Sequence, residues 1–235
     1  MAAVVNGKWF ETAMLVIDMQ NDFILPGGPM HVAGGQAIVP TVIRAVSVAR
    51  KRGISVIWVV REHDPFGRDV EVFRRHLYVN GKGPIVKGTK GAELVEGLIL
   101  VEGEYKLVKT RFSAFFDTNL NSLLQSFGIK SLVVVGVQTP NCIRQTTFDA
   151  VASNFHPVTV IVDATAAATP EVHAANILDM QNIGVLTPTL SECMYEEKPP
   201  QGFIQTGTCY SFSYRYITCL FFMVKLTKMN SINIF

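Results

Sequence analysis

Short apolar runs without polar alternation recur along the chain, and segments of helical periodicity separate them. SVIWVV (55–60), LVVVGV (132–137) and VTVIVDA (158–164) are rich in β-branched residues. A strand that is apolar on both faces is buried on both sides, as in parallel sheets covered by helices. The pattern therefore predicts an α/β fold: a doubly wound, mostly parallel six-stranded sheet in the order 3-2-1-4-5-6, with helices on both faces.

The remaining elements follow from spacing and capping signals. Residues 36–52 repeat apolar side chains at helical spacing, and Gly53 is predicted to end that helix. Asp117 and Thr169 are predicted helix caps, and Pro170 suits a first helical position. The other predicted strands are 13–17, 105–109 and 184–188, and the predicted helices are 36–52, 117–127, 142–155 and 170–183, with a short one near 91–97.

The chain is predicted to divide into one large domain and a tail. Its 235 residues are 49% hydrophobic and 17% charged, which suits a well-packed core. Residues 1–198 are predicted to form the domain. Residues 199–235 are predicted to be an appended, poorly ordered segment without a catalytic role. This tail contains ITCLFFMV (217–224), and a contact with a partner or a membrane surface is the alternative interpretation.

Charge and cysteine usage narrow the class of protein. The net charge is +2 without a dense basic patch, so nucleic acid is not an expected partner. No apolar run reaches the roughly 18–20 residues that span a membrane. The four cysteines, at positions 142, 193, 209 and 219, form no CxxC pair, and the first residues lack a secretory pattern. We therefore expect free thiols and a cytoplasmic protein.

Three reactive side chains follow or close predicted strands. Asp18 follows the first strand and Lys109 closes the third, whereas Cys142 begins the helix after LVVVGV. Ligands of open α/β sheets bind at the carboxyl ends of strands, where the strand order reverses. There Asp18 is a candidate general base, Lys109 stabilises a thiolate and an oxyanion, and Cys142 is a nucleophile. Taken singly, a loop acid, a surface lysine and an inert buried thiol remain the alternatives.

Metal and phosphate motifs are missing from the sequence. The five histidines have no HExxH or zinc-type spacing, and no Walker A or GxGxxG pattern occurs. His63 beside Asp64 is the best metal candidate, and it lacks a second histidine at a regular offset. We expect neither a metal nor a cofactor. The Gly-rich segment 27–35 is interpreted as a flexible loop that borders the site.

Three blocks resemble a known family. AMLVIDMQNDF, KLVKTRFSAFF and VVVGVQTPNCIRQTTFDAV are similar to the signature blocks of the isochorismatase-like cysteine hydrolases, over about residues 13–192. The resemblance implies a catalytic triad of Asp18, Lys109 and Cys142. It also implies a non-proline cis peptide between Val137 and Gln138. The backbone N–H groups of Gln138 and Cys142 would form the oxyanion hole.

The resemblance also bears on the substrate. Nicotinamidases of the family carry an Asp-x-His metal motif after the second strand, where this chain has VVREHDPFGRD. Retention of the cysteine favours C–N cleavage, with ureidoacrylate and N-carbamoyl amidohydrolases as the nearest types. In these an arginine, here Arg61, holds a carboxylate. The predicted substrate-binding residues are Phe23, Arg61, Phe112, Phe116 and Thr139.

The sequence therefore predicts a cofactor-free amidohydrolase that acts on a small molecule through a thioester. An isochorismatase-type vinyl-ether hydrolase and a nicotinamidase-like member inactive on nicotinamide are alternatives within the family. A third alternative is a non-enzymatic binding or assembly protein with the same fold. Association into a homo-oligomer is expected from the resemblance.

Overall fold

The structure, a computed structural model, describes residues 8–195. The predicted tail 199–235 lies outside the described residues, as do Cys209 and Cys219. The predicted domain boundary near residue 198 therefore stays a prediction. Among the described residues no helix is long and apolar enough to cross a membrane.

The described chain alternates strands and helices. The strands are Thr12–Ile17 (β1), Ser55–Arg61 (β2), Tyr105–Lys109 (β3), Ser131–Val137 (β4) and Val158–Ala166 (β5). The α-helices are Asn21–Ile24 (α1), Gly35–Arg52 (α2), Leu120–Ser126 (α3), Arg144–Ala152 (α4), Pro170–Gln181 (α5) and Leu190–Tyr195 (α6). Short 3-10 helices cover Lys8–Glu11, Val72–Leu77 and Lys90–Ala92, and a π-helical turn covers Thr139–Ile143.

The five strands form one parallel sheet in the order β3-β2-β1-β4-β5, so the predicted class and order are confirmed for those strands. The predicted sixth strand is wrong for the described residues. Segment 184–188 runs beside β5, but only Leu186 forms a bridge, with Thr159. Pro188 accepts a hydrogen bond from Val162 and has no N–H to donate back, so the ladder stops there.

Both faces of the sheet are covered, as the apolar runs predicted. Met14 and Val16 of β1 face α2, whereas Leu15 and Ile17 face α3 and α5. Every residue of β1 is buried, because β1 is the central strand and helices lie on both sides.

Capping signals gave mixed predictions. Helix α2 ends before Gly53, which adopts a left-handed conformation (φ 72°), as expected. Thr169 caps α5, because its hydroxyl accepts a hydrogen bond from the N–H of Val172. The Asp117 cap is wrong: Asp117 has a φ of 52°, which does not lead into a right-handed helix, and α3 begins after Asn119.

Two other predicted helices differ in extent. The helix predicted from 142 begins earlier, as the π-helical turn at Thr139, and α4 itself ends at Ala152. Cys142 therefore lies within the turn. The helix predicted near 91–97 is reduced to the 3-10 turn Lys90–Ala92, after which Gly97 takes a φ of 90°.

Candidate active site

Four neighbouring strands bring reactive side chains to one edge of the sheet. Asp18 follows β1, Arg61 is the last residue of β2, Lys109 is the last residue of β3, and Cys142 lies in the turn after β4. Because the strands are parallel, their carboxyl ends lie at the same edge. The register of strand pairing also sets how far each of these residues lies along the sheet, and it places Arg61 directly beside Lys109.

The three predicted catalytic residues are in contact. Lys109 Nζ donates to Asp18 Oδ2 at 2.8 Å and lies 3.3 Å from Cys142 Sγ. It also donates to the carbonyl oxygen of Arg111 at 3.1 Å. Neither the lysine nor the aspartate side chain is exposed. Hence one buried ammonium contacts both the candidate base and the candidate nucleophile.

The environment of Cys142 favours a neutral thiol at rest. Burial raises the pKa of this thiol, and the negative charge of Asp18 raises it further. Lys109 and Arg61 act in the opposite direction, but burial and Asp18 outweigh them. The positive charge of Lys109 therefore does not by itself convert Cys142 to a thiolate. The thiol needs a base to take its proton.

The backbones of β1 and β4 approach closely just before the turn that contains Cys142, and this contact fixes the position of the turn. Gly136 has a φ of 115°, and a Cβ atom there would lie 2.0 Å from the carbonyl oxygen of Ile17. Only glycine suits this position. On the neighbouring strand Asp18 has a φ of 53°, and its N–H donates to Val59 O at 2.8 Å. The backbone of Asp18 is thus held in the left-handed region of φ, next to β4.

The turn after β4 contains the predicted oxyanion donors. The peptide bond between Val137 and Gln138 is cis. The carbonyl of Gln138 accepts hydrogen bonds from Asn141 N at 3.1 Å and Ile143 N at 3.2 Å. Gln138 is half-buried, and it shares this single turn with Cys142. The role of the two amides as an oxyanion hole stays a prediction.

Thr139 has a different environment from the one expected of a substrate-binding residue. Its side chain is fully buried, and its hydroxyl lies 2.8 Å from Nδ1 of His173 in α5. This hydrogen bond ties the turn that carries Cys142 to a neighbouring helix. Burial also lowers the pKa of His173, so the imidazole is neutral in this contact.

Arg61 lies at the centre of the site. Its side chain is 1% exposed, its Nη2 lies 3.9 Å from Cys142 Sγ, and its Nε lies 3.9 Å from Asp18 Oδ2. Two further bonds join Arg61 to Glu71, from Nη2 at 3.0 Å and from Nη1 at 3.3 Å. Burial alone would lower the pKa of Arg61, but the carboxylates of Asp18 and Glu71, and Cys142 whenever it is a thiolate, raise it above its usual value. This guanidinium is permanently charged.

Two polar residues of the site were missed from the sequence. Glu71 precedes the 3-10 helix Val72–Leu77, and Arg74 lies within it, with Nη1 within 3.4 Å of both Glu71 oxygens. Periodicity offers no signal in this irregular segment. The only indication is the local concentration of charges of both signs in GRDVEVFRR.

The predicted aromatic residues divide into two groups. The ring of Phe112 lies under both guanidinium groups, 5.4 Å from Arg61 Cζ and 5.2 Å from Arg74 Cζ. Phe23 is buried and borders a cavity beside Arg61. Phe116 is 57% exposed, which does not suit a pocket wall.

The cavity beside Arg61 is small. Its volume is about 10 Å³, and Phe23, Arg61, His63, Arg74 and Tyr78 are among the residues that line it. That volume holds about one water molecule. Arg61, Glu71 and Arg74 occupy the adjoining space, so an organic substrate needs these side chains to rearrange.

His63 does not fit a metal site. Its Nε2 lies 3.5 Å from Arg61 Nη1, and its Nδ1 lies 3.4 Å from Asp69 Oδ1. Burial, and next the positive charge of Arg61, lower the pKa of this imidazole. A dication on Nε2 would stand beside a permanent positive charge. Within residues 8–195 no three potential ligands of the Asp, Glu, His and Cys types group together.

Comparisons with known proteins place the chain among relatives of one family. The model of the isochorismatase domain matches residues 12–191. A curated protein of Arabidopsis thaliana, named a probable inactive nicotinamidase, is 68% identical over 187 residues, which are 79% of this chain and 95% of that protein.

Solved structures show the same relationship. An isochorismatase family protein from Desulfovibrio vulgaris is 45% identical with a TM-score of 0.77, covering 79% of this chain and 97% of its own. An isochorismatase-like hydrolase from Alkaliphilus metalliredigens is 30% identical with a TM-score of 0.70, covering 80% and 99%. From the family model, these identities and the shared sheet, we conclude that the chain belongs to the isochorismatase-like hydrolase family.

Proposed function

We propose that the protein is a cysteine hydrolase that cleaves the C–N bond of a small amide or ureido compound through a thioester. One observation carries this proposal: the ammonium of Lys109 contacts both the carboxylate of Asp18 and the sulfur of Cys142. A nucleophile and a base held by one cation form the arrangement that covalent catalysis needs.

Each residue has a defined role in the proposed reaction. Asp18 takes the thiol proton, and Lys109 stabilises the resulting thiolate as Sγ of Cys142 attacks the carbonyl carbon. The N–H groups of Gln138 and Cys142 hold the oxyanion. When the tetrahedral intermediate collapses, the C–N bond breaks, and ammonia or an amine leaves with the proton from Asp18. Water, deprotonated by Asp18, then hydrolyses the thioester and restores the thiol.

The raised thiol pKa agrees with this order of events. A neutral thiol next to a buried carboxylate passes its proton to that carboxylate only when the sulfur attacks. Of the two oxygens of Asp18, Oδ2 accepts from Lys109, whereas Oδ1 has no hydrogen-bond partner among the described residues. A buried carboxylate oxygen without a hydrogen-bond partner has an unused lone pair that can receive a proton.

Inactivity on nicotinamide is the alternative that a specific observation favours. The Arabidopsis relative bears the name of a probable inactive nicotinamidase, and His63 stands beside the guanidinium of Arg61 rather than in a metal-binding group. We propose that the C–N hydrolase acts on a substrate other than nicotinamide. In place of a metal ion, the guanidinium of Arg61 then supplies positive charge beside the nucleophile, in addition to Lys109.

The test is a screen of small amides and ureido acids for ammonia release, with and without added divalent metal. We expect a responding compound, and Cys142→Ala should reduce its hydrolysis by about 10³-fold or more. Cys193→Ser is the control thiol variant. Hydrolysis by Cys142→Ala at near the wild-type rate would contradict the mechanism. Pyruvate release from isochorismate would instead identify the vinyl-ether reaction, and no turnover of any compound would favour a binding or assembly role.

We also propose a cytoplasmic, self-associating protein. Cys142 is a free thiol, which suits a reducing compartment. Exposed apolar side chains at Phe66, Phe73 and Val79 suit a contact between copies. Size-exclusion chromatography with light scattering tests the second point, and a monomer at micromolar concentration would contradict it.

A further inference from the structure

The turn Thr139–Ile143, which carries Cys142, has few polar ties to elements that do not adjoin it in sequence. Its backbone hydrogen bonds to the carbonyl of Gln138 close the turn on itself, and no side-chain hydrogen bond caps its start. Among the described residues, and apart from the contacts of Cys142 within the site, the turn makes a single side-chain hydrogen bond, between Thr139 and His173 of α5. That bond therefore links the turn to a separate helix.

The hydrogen bond between Thr139 and His173 has a defined direction. Thr139 is fully buried, and its hydroxyl lies 2.8 Å from Nδ1 of His173. The hydroxyl has no second hydrogen-bond partner among the described residues. A hydroxyl proton that is taken out of water needs an acceptor, and the neutral imidazole of His173 has one ring nitrogen without a proton. We therefore assign the free lone pair to Nδ1, with the Thr139 hydroxyl as the donor.

Helix α5 gives His173 a fixed position. Thr169 caps the helix, and the N–H of His173 donates to the carbonyl oxygen of Thr169 at 3.0 Å. His173, Ile177 and Met180 follow helical spacing and lie on one face of α5. Ile177 and Met180 are buried in the core beneath the sheet. The imidazole thus belongs to a packed element, against which the turn is held.

A displacement of Thr139 would move the reacting groups with it. Thr139 directly follows Gln138, whose N–H is a predicted oxyanion donor, and it shares one turn with Cys142. Neither Thr139 nor His173 forms a hydrogen bond to the sulfur in the described part of the chain. Their effect on the reaction is therefore indirect. It is large all the same, because a misplacement of about 1 Å can reduce turnover about 100-fold.

We propose that His173 is a positioning residue, whose Nδ1 accepts the Thr139 hydroxyl and thereby holds the turn in place beside the active site. Held there, the Cys142 sulfur and the Gln138 N–H face the same substrate carbonyl. Thr139 then serves the turn rather than the substrate. This inference rests on the proposed function for the role of the N–H, whereas the position of the sulfur does not depend on any substrate. Loss of the bond loosens the turn, admits water to the sulfur and moves it away from Asp18.

The experiment measures the rate at which iodoacetamide alkylates Cys142, by mass spectrometry of the peptide that carries it. Burial and the charge of Asp18 raise the pKa of this thiol, so a loosened turn should return it towards its ordinary value. Thr139→Val removes the hydroxyl and keeps the shape of the side chain, and it should speed alkylation at pH 7.5 about fivefold or more. His173→Leu should do the same. The double variant should be no faster than either single one, because all three lack the same bond.

Conservative variants separate positioning from a simple loss of stability. Thr139→Ser keeps the hydroxyl, and His173→Asn offers an amide oxygen near the position of Nδ1, so both should be alkylated at the wild-type rate. Ile177→Val, on the same face of α5, lowers stability without touching the bond and should also leave the rate unchanged. Circular dichroism first establishes that each variant is folded.

Turnover gives a second measurement. On a responding amide, Thr139→Val should lower kcat about tenfold and change KM less than about twofold, because the oxyanion contact forms only in the transition state. The inference is overturned if folded Thr139→Val or His173→Leu is alkylated at the wild-type rate, or if the effects of the two single variants multiply in the double variant. Absence of turnover of every compound would refute the proposed function and leave the alkylation result standing.

Discussion

The carboxylate of Asp18 and the ammonium of Lys109 form a 2.8 Å ion pair although their strands are not neighbours. β2 lies between β1 and β3, so the two side chains meet over the end of β2, where Arg61 contacts the same carboxylate at 3.9 Å. Both members of the pair are fully buried. Removing Lys109 leaves the buried Asp18 carboxylate with only the more distant Arg61 as a counter-charge.

Lys109→Met should therefore be strongly destabilising. Loss of one partner of a buried ion pair costs about 3–5 kcal/mol. Urea denaturation measures the change in the free energy of unfolding. Lys106→Met is the control, since Lys106 lies on the same strand with a side chain 48% exposed, and its pair with Glu62 is worth about 1 kcal/mol or less. Equal costs for the two variants would contradict a buried pair.

Asp18→Asn should change thiol reactivity and turnover in opposite directions. The charge of Asp18 raises the pKa of Cys142, so its removal lowers that pKa and increases the thiolate fraction at pH 7–8. Alkylation by iodoacetamide should become faster, whereas hydrolysis of any responding substrate should fall, because the base is gone. The variant must first be shown to be folded by circular dichroism. Slower alkylation of folded Asp18→Asn would show that the carboxylate does not control the thiol.

Gly136→Ala should be among the most damaging single substitutions. The added Cβ meets the Ile17 carbonyl at 2.0 Å, and the φ of 115° is unfavourable for any side chain, so we expect a loss of about 4 kcal/mol or more. At Gly184 the φ is 84° with nothing within 4 Å, and Gly184→Ala should cost only about 1–2 kcal/mol. Urea denaturation compares them. A loss at Gly136 no larger than at Gly184 would exclude the close approach.

Stability should fall on mild acidification, in part through His173. Burial lowers its pKa in the folded protein, whereas the unfolded chain has the ordinary value of about 6.5. The unfolded state therefore binds the proton first, and the stability present above pH 6.5 is lost as the pH falls below it. His173→Gln should flatten the dependence of the unfolding free energy on pH between 7.5 and 5.5. In His76→Gln, where the side chain is exposed, the wild-type slope should persist.

Sequence patterns predicted those features that local chemistry determines. Five of the six predicted strands are present in the sheet, and Thr169 caps α5 because hydroxyl capping depends only on the next three residues. Structural features that depend on contacts between distant parts of the chain differ from the sequence-based predictions. The run 184–188 has the composition of a strand, but Pro188 limits its pairing with β5.

The candidate site shows the same division. Asp18, Lys109 and Cys142 were predicted because each follows or closes an apolar run. Arg74 and Glu71 come from a segment without periodicity, and only the folded chain brings them to Arg61. Thr139 is predicted to bind substrate, whereas its hydroxyl contacts His173, which lies 34 residues away in the sequence.

Two charged residues of the site come from an irregular surface segment, and this has an evolutionary consequence. The reactive side chains belong to paired strands whose register fixes their spacing, whereas Glu71 and Arg74 belong to residues 71–77, where the side chains of Val72 and Phe73 are exposed. Mutations in that segment can accumulate without disturbing the sheet. Relatives can therefore retain one chemistry while they diverge in the compounds they accept, and a gene duplicate can acquire a new metabolic task through a few exchanges in a single surface stretch.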